Sequence, residues 1–142
     1  MAGMSNTLID KIVNATTPTG TSGAPGTYSA YAGSGMKVRL NSTASTASAA
    51  GTELTGTGYT AGGTSLANAV TASSGGTGIT LPATAALSWT NGSGGAWSIV
   101  SFDLTDSAGA RSWFGIFNGQ PITVANGNTF TIAVGGISIN AS

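Results

Sequence analysis

The pattern of apolar positions changes near residue 35. In the first part, a short apolar stripe recurs at the i, i+1, i+4 and i+5 spacing of one helical face. Its members are Leu8, Ile9, Ile12 and Val13. The stripe predicts a short helix from Ser5 to about Ala15. The stripe itself is only two turns long, so the helix would depend on docking against a partner surface. Residues 16–35 are rich in Thr, Gly, Ser and Pro and predict an extended arm.

From Met36 onward the pattern has the period of a β-strand. Apolar Met36, Val38 and Leu40 alternate with Lys37 and Arg39, which predicts a strand with one apolar and one charged face. Further strands are predicted at Thr52–Thr60, Ser65–Ala72, Gly78–Leu81, Ala85–Thr90, Trp97–Leu104, Arg111–Phe117, Gln120–Val124, Phe130–Val134 and Ile137–Asn140.

The most apolar of the predicted strands, Trp97–Leu104, is expected to be buried on both faces. A turn is predicted at 106–109, where the Asp106 side chain can accept hydrogen bonds from backbone two residues on. This turn would join Trp97–Leu104 to Arg111–Phe117 as a hairpin, and Asn126-Gly127 predicts a second turn. The whole pattern predicts an all-β fold, an antiparallel β-sandwich or jelly roll over residues 36–142, preceded by the helix and arm of residues 1–35.

Charge is scarce in this chain. Only 6% of its 142 residues are charged, with four basic and four acidic side chains, whereas about 25% is usual. The basic residues are scattered singly, so the electrostatic attraction that drives nucleic-acid binding is missing. No stretch approaches the roughly 18 apolar residues of a membrane span. We therefore expect partners that are neither nucleic acid nor membrane.

The residues that usually carry chemistry are also scarce. The chain has no His and no Cys, which removes the commonest general base and all thiolate sites. Asp103 and Asp106 are the only close carboxylate pair. They could form a glycosidase-like dyad or a calcium site, but calcium takes about six to eight oxygen ligands. A strand-end carboxylate beside a turn-capping Asp is the favoured interpretation, with no cofactor, no metal and no catalytic residue.

The aromatic residues allow two interpretations. A sugar-binding platform could be formed by Trp89, Trp97, Trp113, Tyr28, Tyr31 and Tyr59. Trp97 and Trp113, however, lie on apolar strands and are expected in the core. Tyr28 and Tyr31 lie in the polar arm, where we expect them to anchor into a neighbouring subunit.

Several short motifs, in a fixed order, resemble those of a family. They are Gly51-Thr52-Glu53-Leu54 with Gly56-Thr57-Gly58-Tyr59, Leu81-Pro82-Ala83-Thr84, the Trp97–Asp106 run, Trp113-Phe114-Gly115, Val124–Phe130 and Gly136–Ile139. The order resembles that of small virion proteins of tailed bacteriophages, described as tail-fibre-like or minor structural proteins. Two departures are Thr60-Ala61, where the family often has Ala-Arg, and the charged strand that begins at Met36.

The resemblance implies a β-sandwich structural protein of the virion, assembled in the host cytoplasm, with no catalytic residues. A single domain with one arm suits a capsid decoration protein, in which the globule covers the head surface and the arm contacts the major capsid protein or other virion subunits. A homotrimer is expected. The alternatives are a tail-fibre, tail-tip or baseplate subunit, a glycan-binding receptor module, and, least favoured, an enzyme.

Overall fold

The computed structural model describes residues 2–5, 36–66, 78–82 and 85–140. These residues form eleven β-strands, all paired antiparallel, and contain no helix. The strands are β1 (Ala2–Met4), β2 (Lys37–Asn41), β3 (Thr64–Ser65), β4 (Gly78–Leu81), β5 (Leu87–Thr90), β6 (Trp97–Ile99), β7 (Ser101–Thr105), β8 (Arg111–Ile116), β9 (Ile122–Val124), β10 (Thr129–Ile132) and β11 (Ile137–Asn140). The predicted all-β antiparallel class is confirmed.

The larger unit is a five-stranded sheet in the order β1-β8-β7-β2-β3. Strands β7 and β8 form the predicted hairpin, with Asp103 opposite Phe114 and a register shift at Leu104/Thr105. Every residue of β7 is buried, which confirms the expected burial on both faces for this part of the apolar run. One face of the sheet presents Val38 and Leu40 to the core, and the opposite face is called the outer face below.

The remaining strands form three two-stranded ribbons, β4–β11, β5–β10 and β6–β9. Alternation is clear in β5, where Leu87 and Trp89 are buried and Ser88 and Thr90 are exposed. One hydrophobic core joins the ribbons to the sheet. Its members include Val38, Leu40, Leu81, Leu87, Trp89, Trp97, Ile99, Leu104, Val124, Ile132, Ile137 and Ile139. Each such side chain contributes about 1.5–3 kcal/mol when fully buried.

Strand β1 was not anticipated from the sequence. Its three residues pair with β8, and the carbonyls of Arg111 and Ser112 accept hydrogen bonds from the Ser5 hydroxyl and the Ser5 backbone N–H. Ser5 was the predicted start of the helix; it is buried and non-helical, and the rest of that helix lies outside the described residues. The predicted boundary between residues 35 and 36 stays a prediction for the same reason.

Three strand predictions differ from the structure in more than their ends. Of the predicted Ser65–Ala72, Ser65 belongs to β3, Leu66 lies in no strand, and residues 67–72 lie outside the described residues. Trp97–Leu104 is two strands, because the chain leaves the β6–β9 ribbon and enters the five-stranded sheet at Val100. Thr52–Thr60 contributes only an isolated bridge between Glu53 and Asn41. Gly56 and Gly58 have φ angles of +115° and +93°, so the chain turns there instead of extending.

Candidate functional site

Asp103 is the centre of a buried charged cluster on the outer face of the sheet. Its side chain is 0% exposed, and the strand register places Arg39 directly opposite. The Arg39 Nη2 donates to Asp103 Oδ2 at 2.7 Å, and Arg111 Nη1 lies 3.6 Å from Oδ1. The Asn41 amide donates to the same Oδ2 at 3.0 Å. Two cations and an amide thus compensate one buried carboxylate, as a charge removed from water requires.

The loop of residues 42–51, called the strap below, covers this cluster. Arg111 donates to the carbonyl oxygens of Ala49 at 2.9 Å and Ala47 at 3.2 Å. The Ser101 hydroxyl, on β7, donates to the Thr43 carbonyl at 2.7 Å. A Cβ on Gly51 would stand 2.4 Å from that carbonyl oxygen, so the strap closes only with glycine there. The cluster therefore holds a loop against the sheet.

The candidate carboxylate pair serves two separate structural roles. Asp103 lies in the middle of β7 rather than at a strand end, which corrects one detail of the sequence interpretation. The Asp106 Oδ1 accepts hydrogen bonds from the backbone N–H of Ala108 at 3.0 Å and of Ala110 at 2.8 Å. The turn-capping role of Asp106 is confirmed. Neither carboxylate is free to face the other across a cleft.

The family-like motif at residues 51–59 is explained by a second network. The Tyr59 hydroxyl donates to Glu53 Oε1 at 2.9 Å and accepts from the Leu40 backbone N–H at 3.2 Å. Glu53 Oε1 also accepts from Gly62 N–H at 2.7 Å. Burial, and next the hydrogen bond to Glu53, raises the pKa of Tyr59 above its usual value. The motif thus closes the loop that follows β2.

Two of the three tryptophans, Trp89 and Trp97, are buried in the core. Trp89 is only 3% exposed, and its indole N–H donates to Thr64 Oγ1 at 2.8 Å. It stacks on Phe130 with the ring centroids 6.0 Å apart. Trp97 is also 3% exposed, as predicted, whereas Trp113 is half-buried against the core. The sugar-platform interpretation is wrong for Trp89, because neither face of its ring is open to a ligand.

Hydroxyl groups lie on the exposed sides of two ribbons, β5–β10 and β6–β9. On β5–β10, the side-chain oxygens of Ser88 and Thr131 are 3.0 Å apart, and those of Thr90 and Thr129 are 2.8 Å apart. On β6–β9, the exposed Ser98 and Thr123 are register partners. These surfaces offer hydrogen-bonding groups without net charge.

A cleft lies where β8 ends and β11 begins. It measures about 230 Å³ and is lined by Phe102, Ile116, Phe117, Asn118 and residues 136–138. Ile116 is 36% exposed, and it and Val134 are the large apolar side chains most exposed among the described residues. Polar and apolar groups both line the cleft, and the polar groups form the larger part of its surface.

The predicted partner-binding residues fall outside the described residues. They are Leu8, Ile9, Ile12, Val13, Tyr28 and Tyr31, and their role stays a prediction. The cluster around Asp103 was missed, although one signal existed: a lone carboxylate within the most apolar run requires a cation nearby. The structure supplies two, Arg39 and Arg111, which lie far apart along the chain.

The described part of the chain holds no group of three or more acidic side chains placed to bind a metal ion. No described helix is long and apolar enough to cross a membrane. Comparisons with protein-family models, with curated proteins and with solved structures found no match to this chain.

Proposed function

We propose that this chain is a structural subunit of a tailed-bacteriophage virion, specifically a decoration protein of the head surface. The proposal rests on the motif order described above and on the way the fold uses its charged residues. Its assembly in the host cytoplasm, a homotrimeric state and a sandwich or jelly-roll arrangement of the strands are parts of the same proposal.

The observation that carries the proposal is that ionisable groups are used inside the fold. Arg39 and Arg111 converge on Asp103, Glu53 binds Tyr59, and Asp106 caps a turn. The ribbons meanwhile expose hydroxyl groups. A surface of this kind suits contact with other protein subunits through backbone, hydroxyl and apolar groups. It offers little charge to attract a nucleic acid or to perform acid–base chemistry.

The contact with the shell is assigned to the predicted helix and arm. The apolar stripe Leu8, Ile9, Ile12 and Val13 would dock on the major capsid protein, and Tyr28 and Tyr31 would anchor into neighbouring subunits. Interface energy then comes from apolar burial, with few ion pairs to screen.

The first experiment is quantitative mass spectrometry of purified virions that carry this polypeptide. A copy number comparable to that of the major capsid protein is expected. A few copies per particle would overturn the head assignment and favour the tail-fibre or tail-tip alternative.

Release of the subunit should also be nearly independent of salt, since salt weakens exposed charge pairs. Dissociation on moving from low to moderate ionic strength would contradict the proposed interface.

A second experiment tests the arm without disturbing the sheet. Ser5 follows β1 beside Arg111, and Met36 precedes β2, whose Lys37 pairs with Thr105. Both points lie at one end of the sheet, three strand spacings or about 14 Å apart. A Gly/Ser linker of roughly eight residues spans that distance. Replacing residues 6–35 with it should abolish binding to particles while the thermal unfolding transition remains. Retained particle binding would overturn the role assigned to the arm.

A further inference from the structure

The chain contains three Asn-Gly dipeptides, Asn91-Gly92, Asn118-Gly119 and Asn126-Gly127. In such a pair the glycine backbone nitrogen can attack the asparagine side-chain carbonyl carbon. A five-membered succinimide forms, ammonia leaves with the amide nitrogen, and water then opens the ring to aspartate or isoaspartate. The reaction needs a glycine N–H that can be released and an asparagine side chain that can rotate.

Asn91-Gly92 is held against this reaction. Asn91 is 0% exposed, and its amide donates to the carbonyls of Gly95 and Val124, both at 2.8 Å. Its Oδ1 accepts from the Ser93 N–H at 2.9 Å. The attacking nitrogen, that of Gly92, donates to the Thr57 carbonyl at 2.9 Å. Both reacting groups are therefore fixed.

Asn126-Gly127 is also held, by hydrogen bonds to Asn91 and Gly94, although the Asn126 side chain is exposed. The Gly127 nitrogen donates to the Asn91 carbonyl at 2.6 Å. The Asn126 Oδ1 accepts from the Gly94 N–H at 2.9 Å. Attack at Asn126 requires both hydrogen bonds to break first.

Asn118-Gly119 has neither restraint. Asn118 is exposed, and its side chain makes no hydrogen bond to another described residue; the same holds for the backbone N–H of Gly119. Gly119 has a φ angle of +70°, in the left-handed region. We propose that Asn118 is a spontaneous deamidation site, at which the folded protein acquires an aspartate or isoaspartate while Asn91 and Asn126 stay intact.

The modification would add a carboxylate to a chain whose formal net charge is zero. Asn118 lines the cleft at the end of β8 together with Ile116 and Phe117. The new charge would therefore stand beside the exposed Ile116 side chain, whose burial against a partner would become unfavourable.

The test is peptide mapping by mass spectrometry after incubation of the full-length protein at mildly alkaline pH. A denatured sample is run in parallel until all three sites are modified. In the folded protein we expect Asn118 to react at least about tenfold faster than Asn91 or Asn126, which corresponds to about 1.4 kcal/mol of extra opening free energy. Asn118→Gln should remove the acidic species seen by ion exchange, because glutamine cannot form the five-membered ring. The matched control Asn126→Gln should leave it unchanged.

Two results would overturn the proposal. One is a folded protein in which Asn118 stays intact while the denatured sample is modified at that position. The other is modification of Asn91 or Asn126 in the folded protein at the rate of Asn118. Neither result depends on the virion function proposed above.

Discussion

The outer face of the five-stranded sheet and the exposed sides of the ribbons both carry polar side chains, but of opposite kinds. The sheet places Arg39, Arg111 and Asp103 on its outer face and covers them with the strap. The ribbons place hydroxyl pairs such as Thr90 and Thr129 on theirs and leave them exposed. The charged side chains thus hold the strap against the sheet, whereas neutral hydroxyl groups face the solvent. The stability of the protein should accordingly depend strongly on the first region and weakly on the second.

The largest effect is expected at Asp103. Asp103→Ala leaves two arginines without their carboxylate, and the free energy of unfolding should fall by about 3–5 kcal/mol. Asp106→Ala, which removes a turn-capping carboxylate, should cost only about 1–2 kcal/mol. Denaturant unfolding of the two variants measures the difference. Adding Arg39→Met to Asp103→Ala should recover part of the loss. Equal losses for both Asp variants would contradict the role of the cluster.

A smaller effect is expected where the loop after β2 contacts the β5–β10 ribbon. A Cβ on Gly58 would stand 1.8 Å from the Thr90 carbonyl oxygen, at a φ of +93°. Gly58→Ala should lower the free energy of unfolding by about 3 kcal/mol, from backbone strain plus overpacking. Gly94→Ala is the matched control, because Gly94 has a φ of +81° with no atom near its Cβ position. Its cost should be the strain alone, about 1–2 kcal/mol.

Tyr59→Phe should cost about 1–2 kcal/mol, since the Leu40 N–H and Glu53 both lose a partner. The same variant has a pH signature. The folded state raises the pKa of Tyr59, so its stabilising contribution is complete below the usual tyrosine pKa of about 10 and declines as the pH rises above it. The free energy of unfolding, measured at a series of alkaline pH values, should fall less steeply with pH for the variant than for the wild type. Parallel curves would show that the hydroxyl is not linked to stability.

The smallest effect is expected on the ribbons. Thr129→Val replaces an exposed hydroxyl with a methyl group of similar size, and stability should change by no more than about 0.5 kcal/mol. Ser101→Ala, in the buried region, should cost about 1–3 kcal/mol because the Asn41 amide and the strap lose a partner. Thermal unfolding compares the two. A ribbon variant as destabilised as Ser101→Ala would remove the distinction between the two regions.

The sequence pattern predicts local elements well where alternation is regular. The β11 bounds agree with the predicted Ile137–Asn140, and β4 agrees with Gly78–Leu81. The pattern predicts poorly where a segment becomes a strand only because it pairs with a neighbouring strand. Ala2–Met4 has no alternation of its own, yet Gly3 allows the backbone to approach the Phe114 ring, where a Cβ would stand 2.8 Å away. Tertiary packing decides such segments.

The candidate site was less predictable, for a related reason. The Asp106 turn is local and followed from four consecutive residues. The pair of Arg39 and Asp103 joins residues 64 positions apart, and only the register of β2 on β7 brings them together. Sequence spacing carries no signal for such a contact, whereas the presence of an acid within an apolar run does indicate that a cation must be found.

Val100 gives the molecule a mechanical property. It is the single residue between β6, in a ribbon, and β7, at the middle of the five-stranded sheet. Its backbone N–H donates to the Asn41 carbonyl at 2.9 Å and its carbonyl accepts from Phe117 N–H at 3.0 Å. A pull applied to the β6–β9 ribbon would pass along the covalent chain into the sheet's central strand. There the pull would load the hydrogen bonds to both neighbouring strands in shear, so that many of them must break together. At the edge of a sheet, by contrast, such bonds could be peeled apart one by one.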